Sequence, residues 1–170
     1  MPYLLLLFFV FAGTFAYAGI SAAPWFPTKR GDLARFIDLV DIKPGQKVYD
    51  LGCGDGRLVY AAARCGAMAI GYEISLLPYV LAKVRFLFIA NAIKKLAEIK
   101  FQDFWSVNLS DADIVYVFLT PGVNPKMKLK LEKELHKGAK VIAYAWPLEG
   151  WEPKRVDKID GRLNLYLYEL

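Results

Sequence analysis

The sequence predicts an α/β fold in which helices cover both faces of a mostly parallel sheet, closed by a C-terminal antiparallel hairpin and preceded by a transmembrane helix. Strand-like and helical segments alternate from Val48 to Ala145, a pattern typical of parallel sheets. Two β-rich segments then flank Asp160-Gly161, which is a hairpin signal. Ahead of all these, residues 3–23 contain no charged side chain. A chain of 170 residues is expected to form one such domain.

The uncharged segment is long enough to cross a bilayer. As a helix it would extend roughly 31 Å, about the thickness of the hydrocarbon core. Lys29 and Arg30 follow it closely, so the positive-inside rule predicts a single-pass anchor over residues 1–23, with residues 24–170 forming a cytoplasmic domain. A cleaved signal peptide is the alternative, because Ala16-Tyr17-Ala18 resembles a cleavage site, although no Lys or Arg precedes the apolar run.

A stiff linker and an amphipathic helix separate this segment from the first strand. Two prolines hold residues 23–28 extended. Helical spacing then predicts a helix whose apolar face comprises Leu33, Phe36, Ile37, Leu39 and Val40. The turn Lys43-Pro44-Gly45-Gln46 leads from this helix into the first strand.

The chain is organised around residues 47–73, which predict a Rossmann-like strand–turn–helix–strand unit. The first strand, Lys47–Leu51, ends at a turn in which three glycines (residues 52, 54 and 56) alternate with other residues. A helix over Arg57–Arg64 and an apolar strand over Ala67–Tyr72 follow, and the second strand ends at Glu73. This order is that of one βαβ unit, with the glycine turn at the N-terminus of its helix.

The residue types around the turn favour S-adenosylmethionine (SAM) over a dinucleotide. Glycines let the backbone approach a ligand closely, and Glu73 stands where a carboxylate accepts two ribose hydroxyls. A dinucleotide fingerprint needs glycine where this chain has Arg57. Asp50 and Asp55 flank the turn, and two carboxylates suit an amine better than a pyrophosphate. Adenosine joined to an amino acid supplies that amine.

The remaining segments continue the alternation to the C-terminus. Residues 76–97 predict one long helix, apolar around most of its circumference, so that one face packs on the sheet and another is free to meet a bilayer or the N-terminal helix. The other predicted elements are strands over Glu98–Gln102, Ile114–Leu119 and Lys140–Trp146, a helix over Pro125–His136, and hairpin strands over Arg155–Ile159 and Leu163–Tyr168.

Charge and composition limit the function classes. The net charge is +5, and lysines are concentrated on the helix over residues 125–136, a pattern typical of a solvated face, with contact to anionic lipid as the alternative. No nucleic-acid motif accompanies these lysines. Cys53 and Cys65 lack the spacing of a metal site, so no metal is expected. His136 lies on the basic helix and is expected at the surface.

Several motifs resemble those of class I, seven-strand SAM-dependent methyltransferases: VYDLGCGDGR at 48–57, GYE at 71–73 and QDF at 102–104. Others are similar to segments of the small protein-lysine methyltransferases: PWFPT at 24–28, NLSDADIVYVFLTP at 108–121, LKLEKELHKGAKVIA at 129–143 and GWEPKRV at 150–156. That family includes archaeal broad-specificity enzymes and the ATP synthase c-subunit lysine methyltransferases. The similarity runs along nearly all of residues 24–170.

One departure concerns the segment after the fourth strand. Enzymes that methylate amino groups of nucleic acids or of glutamine have Asn/Asp-Pro-Pro-Tyr/Phe there, whereas this chain has Phe118-Leu119-Thr120-Pro121. No nucleic-acid partner is therefore expected.

The resemblance implies seven cofactor-binding residues, grouped by the part of SAM that they contact. They are Thr28, Asp50, Gly52 and Gly54 for the methionine moiety, Glu73 for the ribose hydroxyls, and Asp103 and Phe104 for the adenine. Three aromatic residues, Trp25, Phe26 and Trp146, are candidates for a channel that receives the substrate lysine, with ordinary packing as the alternative. The resemblance supplies no general base.

The resemblance implies a SAM-dependent protein-lysine N-methyltransferase, and the uncharged N-terminal segment adds a membrane anchor, so that membrane or membrane-adjacent proteins are the expected substrates. The methyl transfer requires an aligned, neutral amine more than a catalytic triad, because the sulfonium methyl group is already activated. A methyltransferase for lipid or quinone headgroups is one alternative, which the anchor and the apolar helix permit. A SAM-binding module without catalysis is the other.

Overall fold

Seven strands form one sheet in the computed structural model, which describes residues 2–21 and 26–170. They are β1 (Lys47–Leu51), β2 (Met68–Glu73), β3 (Ala97–Phe101), β4 (Ile114–Val117), β5 (Lys140–Tyr144), β6 (Arg155–Asp157) and β7 (Leu165–Glu169). Their order across the sheet is β3-β2-β1-β4-β5-β7-β6. Strands β1 to β5 are parallel, and β7 runs antiparallel to both β5 and β6. The predicted parallel sheet with a C-terminal antiparallel hairpin is therefore confirmed.

Helices cover both faces of this sheet, as predicted. They are α1 (Pro2–Ser21), α2 (Arg30–Val40), α3 (Arg57–Arg64), α4 (Leu76–Leu87), α5 (Asn91–Lys94) and α6 (Asn124–Glu134), with short 3₁₀ turns at Phe104–Ser106 and Pro121–Val123. Side chains of α2 to α5 share one apolar cluster with alternate residues of the strands. Met127 and Leu131 of α6 belong to the cluster on the opposite face.

Strand β4 lies in the interior of the sheet, away from solvent. Its four residues are all buried, because it lies between β1 and β5 with an apolar cluster on each face. The strand order reverses between β1 and β4, and in such sheets a crevice opens at the carboxyl ends of the two strands. The fold thereby places the end of β1 and its glycine turn beside the segment that follows β4.

The single long helix predicted over residues 76–97 is wrong: α4 ends at Leu87, and the four-residue α5 follows. One helix of that length would extend about 33 Å. The chain must return to the start of β3, and five- or six-residue strands measure only about 17–20 Å, so a 12-residue helix matches the crossover better. The two-residue hairpin at Asp160-Gly161 is also wrong, since a connection over residues 158–164 joins β6 to β7.

Helix α1 carries the predicted membrane segment. Within the part of the chain that the structure describes, Tyr3–Ile20 is one helix long and apolar enough to cross a bilayer by length and composition, and its side chains are largely exposed. The helix packs against α4.

Candidate functional site

One cavity collects the predicted cofactor residues at the carboxyl edge of the sheet. Asp50 comes from the end of β1, Glu73 from the end of β2 and Asp103 from the segment after β3. All seven of these residues line the cavity: Thr28, Asp50, Gly52, Gly54, Glu73, Asp103 and Phe104. They converge because carboxyl ends of neighbouring parallel strands meet at one edge.

The glycine turn gives the cavity an open backbone floor. Gly52, Gly54 and Gly56 all adopt positive φ, at 86°, 55° and 73°, which favours glycine over any other residue. The backbone N–H of Gly52 donates to the carbonyl of Tyr72 at 2.9 Å, which fixes the turn against β2. A Cβ built on Gly52 has no neighbour within 4 Å among the described residues, so space for a ligand lies beside the backbone there.

Glu73 is a buried carboxylate held in one orientation. Its Oε2 accepts from the backbone N–H of Gly54 at 2.8 Å, and its Oε1 accepts from that of Ser75 at 2.7 Å. Burial raises the pKa of Glu73, although these backbone hydrogen bonds oppose the rise. Each oxygen keeps a further lone pair, so the carboxylate is able to accept hydroxyl hydrogens from a ligand.

Asp50 has no hydrogen-bond partner among the described residues, although its side chain is only 4% exposed and lines the cavity. Burial, together with the negative charges of Glu73 and Asp55, raises the pKa of Asp50 well above its ordinary value. A buried carboxyl group left without a partner is costly. A cationic group in the cavity would relieve that cost.

Arginine at position 57 neutralises the third carboxylate of the turn. Arg57 donates through Nε and Nη2 to Asp55 at 2.8 and 2.6 Å, and Arg85 of α4 lies 2.8 Å from Asp55 Oδ2. Burial alone would raise the pKa of Asp55, but the hydrogen bonds and charge of Arg57 lower it. Arg57 also donates to the carbonyl of Thr28 at 2.6 Å and so ties the linker to the turn.

Aromatic side chains line another part of the cavity. Phe26 and Phe118 both line it and make an edge-to-face contact with ring centroids 6.1 Å apart. Behind them, the Thr28 hydroxyl lies 3.0 Å from the hydroxyl of Tyr116, and both side chains are buried. Sequence analysis did not single out Phe118, whose place follows from the position of β4 beside β1.

Asp103 and Phe104 form the wall on the β3 side. Asp103 caps a 3₁₀ turn, with its Oδ1 accepting from the backbone N–H of Trp105 at 2.9 Å. Its Oδ2 accepts from the hydroxyl of Tyr17 at 2.8 Å. Tyr17 and Ala18 belong to α1, and Ala18 also lines the cavity. Sequence analysis missed both, because nothing local connects α1 to the turn after β3.

Of the three proposed lysine-channel aromatics, the structure describes Phe26 and Trp146. Trp146 is 41% exposed and does not line the cavity. It follows Ala145, whose φ of 73° redirects the chain after β5. Trp25 lies outside the described residues. Phe26 lines the cavity, and the channel roles of all three aromatics stay predictions.

The residues present fit SAM. Asp50 offers an unpaired buried carboxyl group to a cationic amino group, and Glu73 offers acceptors to ribose hydroxyls. The same pair of carboxyl groups would repel a pyrophosphate, which agrees with the preference expected from the sequence.

Comparison with known proteins gives a consistent picture. The model of the ANTKMT methyltransferase domain matches residues 50–155. A protein-lysine N-methyltransferase of Saccharolobus islandicus is 36% identical over 85% of this chain and 92% of its own length. The ATP synthase c-subunit lysine N-methyltransferase of Rattus norvegicus is 32% identical over 76% of this chain and 59% of its own length.

The comparison with solved structures supports SAM as the cofactor. The crystal structure of an RNA methyltransferase from Salinibacter ruber, in complex with S-adenosyl-L-homocysteine, is 30% identical to this chain. It superimposes with a TM-score of 0.79 over 85% of this chain and 93% of its own.

Proposed function

The chain belongs to the ANTKMT methyltransferase-domain family and is a SAM-dependent methyltransferase, and from this premise we propose that it methylates lysine side chains of proteins. We further propose that α1 anchors it to a membrane, so that its substrates are membrane or membrane-adjacent proteins. The names of the archaeal and rat relatives support lysine as the acceptor. The match spans only 59% of the rat protein, so its substrate is not transferred to this chain.

The observation that carries the proposal is the arrangement of carboxyl and aromatic groups around one cavity. SAM, when bound, supplies an activated methyl group. Asp50, Glu73 and the backbone of the glycine turn would hold its polar parts, and Asp103 with Phe104 would hold the adenine. Phe26 and Phe118 would then face the incoming lysine.

The aromatic wall bears on the protonation state of that lysine. A lysine amine with a pKa of about 10.4 must lose a proton to react, which costs roughly 4–5 kcal/mol near pH 7. Desolvation against Phe26 and Phe118 lowers the amine pKa, because burial disfavours the charged form. Alignment and desolvation by these residues replace a dedicated base in this scheme.

A labelling experiment tests the acceptor. The full chain is incubated with methyl-labelled SAM and three acceptor pools: membrane proteins, extracted lipids and total RNA. We expect label in protein, released as methylated lysine on hydrolysis. Label in lipid alone or in RNA alone would replace this proposal with the corresponding alternative, and an absence of label in every pool would leave a SAM-binding module.

Matched aspartate variants separate the site from the protein surface. Asp50→Asn removes the buried carboxylate from the cavity, and Asp160→Asn makes the same change in the exposed β6–β7 connection. We expect Asp50→Asn to abolish labelling and Asp160→Asn to retain it. Full activity in Asp50→Asn would contradict the assignment of the cofactor site.

The anchoring part of the proposal rests on α1. Its uncharged length, its exposed apolar side chains and the following Lys29 and Arg30 support a membrane anchor that holds the catalytic domain at the cytoplasmic surface. Carbonate extraction of cell membranes tests the anchor, and N-terminal sequencing of the extracted protein tests retention of residues 1–23. Release into the carbonate supernatant, or a mature N-terminus near residue 24, would favour the signal-peptide alternative.

A further inference from the structure

Three residues near the end of α1 face the cofactor site together. Thr14, Tyr17 and Ala18 are spaced by three and four positions, so they lie on one side of the helix. Each of the three contacts the catalytic domain, whereas most side chains of α1 are exposed.

Thr14 contacts the segment that follows β2. Its hydroxyl oxygen accepts from the backbone N–H of Leu76 at 3.2 Å, and the hydroxyl donates to the carbonyl of Phe11 at 3.1 Å. Leu76 begins α4 only three residues after Glu73, whose carboxylate is fixed by Ser75. The helix thus supports the loop that carries the proposed ribose ligand.

Tyr17 contacts the segment that follows β3. Its hydroxyl donates to Asp103 Oδ2 at 2.8 Å, while Asp103 Oδ1 accepts from Trp105 at 2.9 Å. Ala18, on the next position, is 7% exposed and lines the cavity itself. The two loops that flank the nucleoside end of the cavity are therefore joined through one face of α1.

We propose that the last turns of α1 are part of the cofactor site and that Tyr17 is a positioning residue, which holds the Asp103 carboxylate in the orientation that accepts the adenine amine. With Trp105 on one oxygen and Tyr17 on the other, the carboxylate cannot rotate freely about its side-chain bond. Oδ2 keeps a lone pair for an additional donor. This inference rests on SAM as the cofactor and is independent of the acceptor.

The test compares two tyrosines of the same helix. Tyr17→Phe removes the hydroxyl from Asp103, and Tyr3→Phe removes the hydroxyl of an exposed tyrosine far from the cavity. Binding of S-adenosylhomocysteine to the full chain in detergent micelles is measured by calorimetry. We expect Tyr17→Phe to weaken binding about 3- to 10-fold, the net effect of one ordinary hydrogen bond, because the contact with Asp103 is exposed, and we expect Tyr3→Phe to match the wild type.

An analogue distinguishes positioning of Asp103 from a general loss of structure. S-inosylhomocysteine carries oxygen in place of the adenine amine, so it lacks the exocyclic N–H group that Asp103 would accept from and keeps only an N–H at ring position N1. We expect wild type and Tyr17→Phe to bind this analogue with equal, lower affinity. An equal loss for both ligands would assign Tyr17 a purely structural role, and unchanged or tighter binding of S-adenosylhomocysteine in Tyr17→Phe would overturn the proposal.

A second variant tests the other contact of the helix. Thr14→Val keeps the shape of the side chain and removes the acceptor for Leu76, so we expect it to weaken S-adenosylhomocysteine binding as well. These measurements do not depend on methyl transfer. If they hold while no protein is labelled, lysine methylation fails and the role of α1 in cofactor binding stands.

Discussion

At the scale of single residues, Asp50 favours cofactor binding and lowers the stability of the cofactor-free protein. Its carboxyl group is buried without a partner among the described residues, and burial raises its pKa well above the ordinary value. A group whose pKa is raised by folding contributes stability that is fully present below the unfolded pKa. That contribution is lost as the pH rises through the folded pKa. At neutral pH the native state therefore bears the cost of this carboxylate.

We expect Asp50→Asn to stabilise the free protein while it abolishes SAM binding. Relief of the buried charge is worth about 1–3 kcal/mol, or a melting temperature higher by roughly 2–10 °C at pH 7. The difference in melting temperature should shrink as the pH falls toward 4, where the wild-type Asp50 carboxyl group is protonated and therefore uncharged, like the amide of the variant. Thermal melts of both proteins over pH 4–8, with Asp160→Asn as the control, measure it. A lower melting temperature at pH 7 would contradict this account.

Thr28 lies in the linker ahead of α2 and was implied only by the resemblance, whereas the other six cofactor residues were predictable to lie together, because each stands at or just after the end of a parallel strand and such ends share one edge. Partners contributed by distant helices were not. The contacts of Tyr17 with Asp103 and of Arg85 with Asp55 depend on where α1 and α4 pack, and no local pattern fixes that.

At the scale of elements, the approach of β2 to the glycine turn requires a residue without a side chain. A Cβ on Gly71 would lie 2.6 Å from the Cys53 sulfur and 2.7 Å from Val59 Cγ2. We expect Gly71→Ala to lower the free energy of unfolding by about 1–3 kcal/mol through overpacking between β2 and α3. Gly122→Ala is the matched control, since nothing described lies within 4 Å of its added methyl group. Urea denaturation measures the free energy of unfolding of both variants, and equal losses in the two would contradict overpacking at Gly71.

Helix α4 carries an apolar stripe on its outer side, next to α1. The exposed side chains are Leu77, Val80, Leu81, Val84, Leu87 and Phe88. If α1 is embedded in a membrane, the neighbouring α4 lies at the lipid surface, and its apolar stripe would contact the lipid. In a chain that lacks residues 1–23, we expect Val84→Asp to weaken binding to anionic vesicles at least about tenfold, because it adds a charge to a face that would contact lipid.

Ile159→Asp provides the control for that prediction. Ile159 is 44% exposed, close to the 47% of Val84, but lies in the β6–β7 connection. Cosedimentation of both variants with vesicles gives the comparison. Equal losses in the two variants would mean that the α4 stripe is not a lipid contact.

The sequence predicted the type of nearly every element and was less accurate about lengths. The apolar character of residues 76–97 continues past the end of α4, so composition alone gave no stop signal there. The end of the helix is set by the distance that the crossover must cover between β2 and β3.

At the scale of the whole molecule, a buried ion network joins α2 to the C-terminal hairpin. Arg35 donates to Asp32 and to Asp157, each at 2.9 Å, and to the carbonyl of Leu163 at 2.9 Å. Tyr144 of β5 donates to the other oxygen of Asp32 at 2.5 Å. Burial would raise the pKa of Asp32, but the hydrogen bonds from Tyr144 and Arg35 lower it. These residues are up to 131 positions apart (32 to 163), so sequence patterns could not associate them.

We expect Arg35→Ala to destabilise the protein by about 1–3 kcal/mol at pH 7, because the buried carboxylate of Asp32 then keeps only Tyr144 and, at 3.3 Å, Arg162 as partners among the described residues. The loss should diminish as the pH falls below about 4 and Asp32 becomes protonated. Arg155→Ala, at an exposed position on β6, serves as the control in urea denaturation. A loss below about 1 kcal/mol for Arg35→Ala would show that the network does not join the two parts of the molecule.

The carboxyl groups of the cavity also bear on product inhibition. Asp50 and Glu73 face a ligand that carries a sulfonium charge before methyl transfer and a neutral thioether afterwards. Attraction between opposite charges in a buried setting is strong, and it disappears in the same step that forms the product. The cavity should therefore bind S-adenosylhomocysteine more weakly than SAM. The amino group that Asp50 would hold is present in both ligands, so S-adenosylhomocysteine keeps that contact and remains a competitor of SAM.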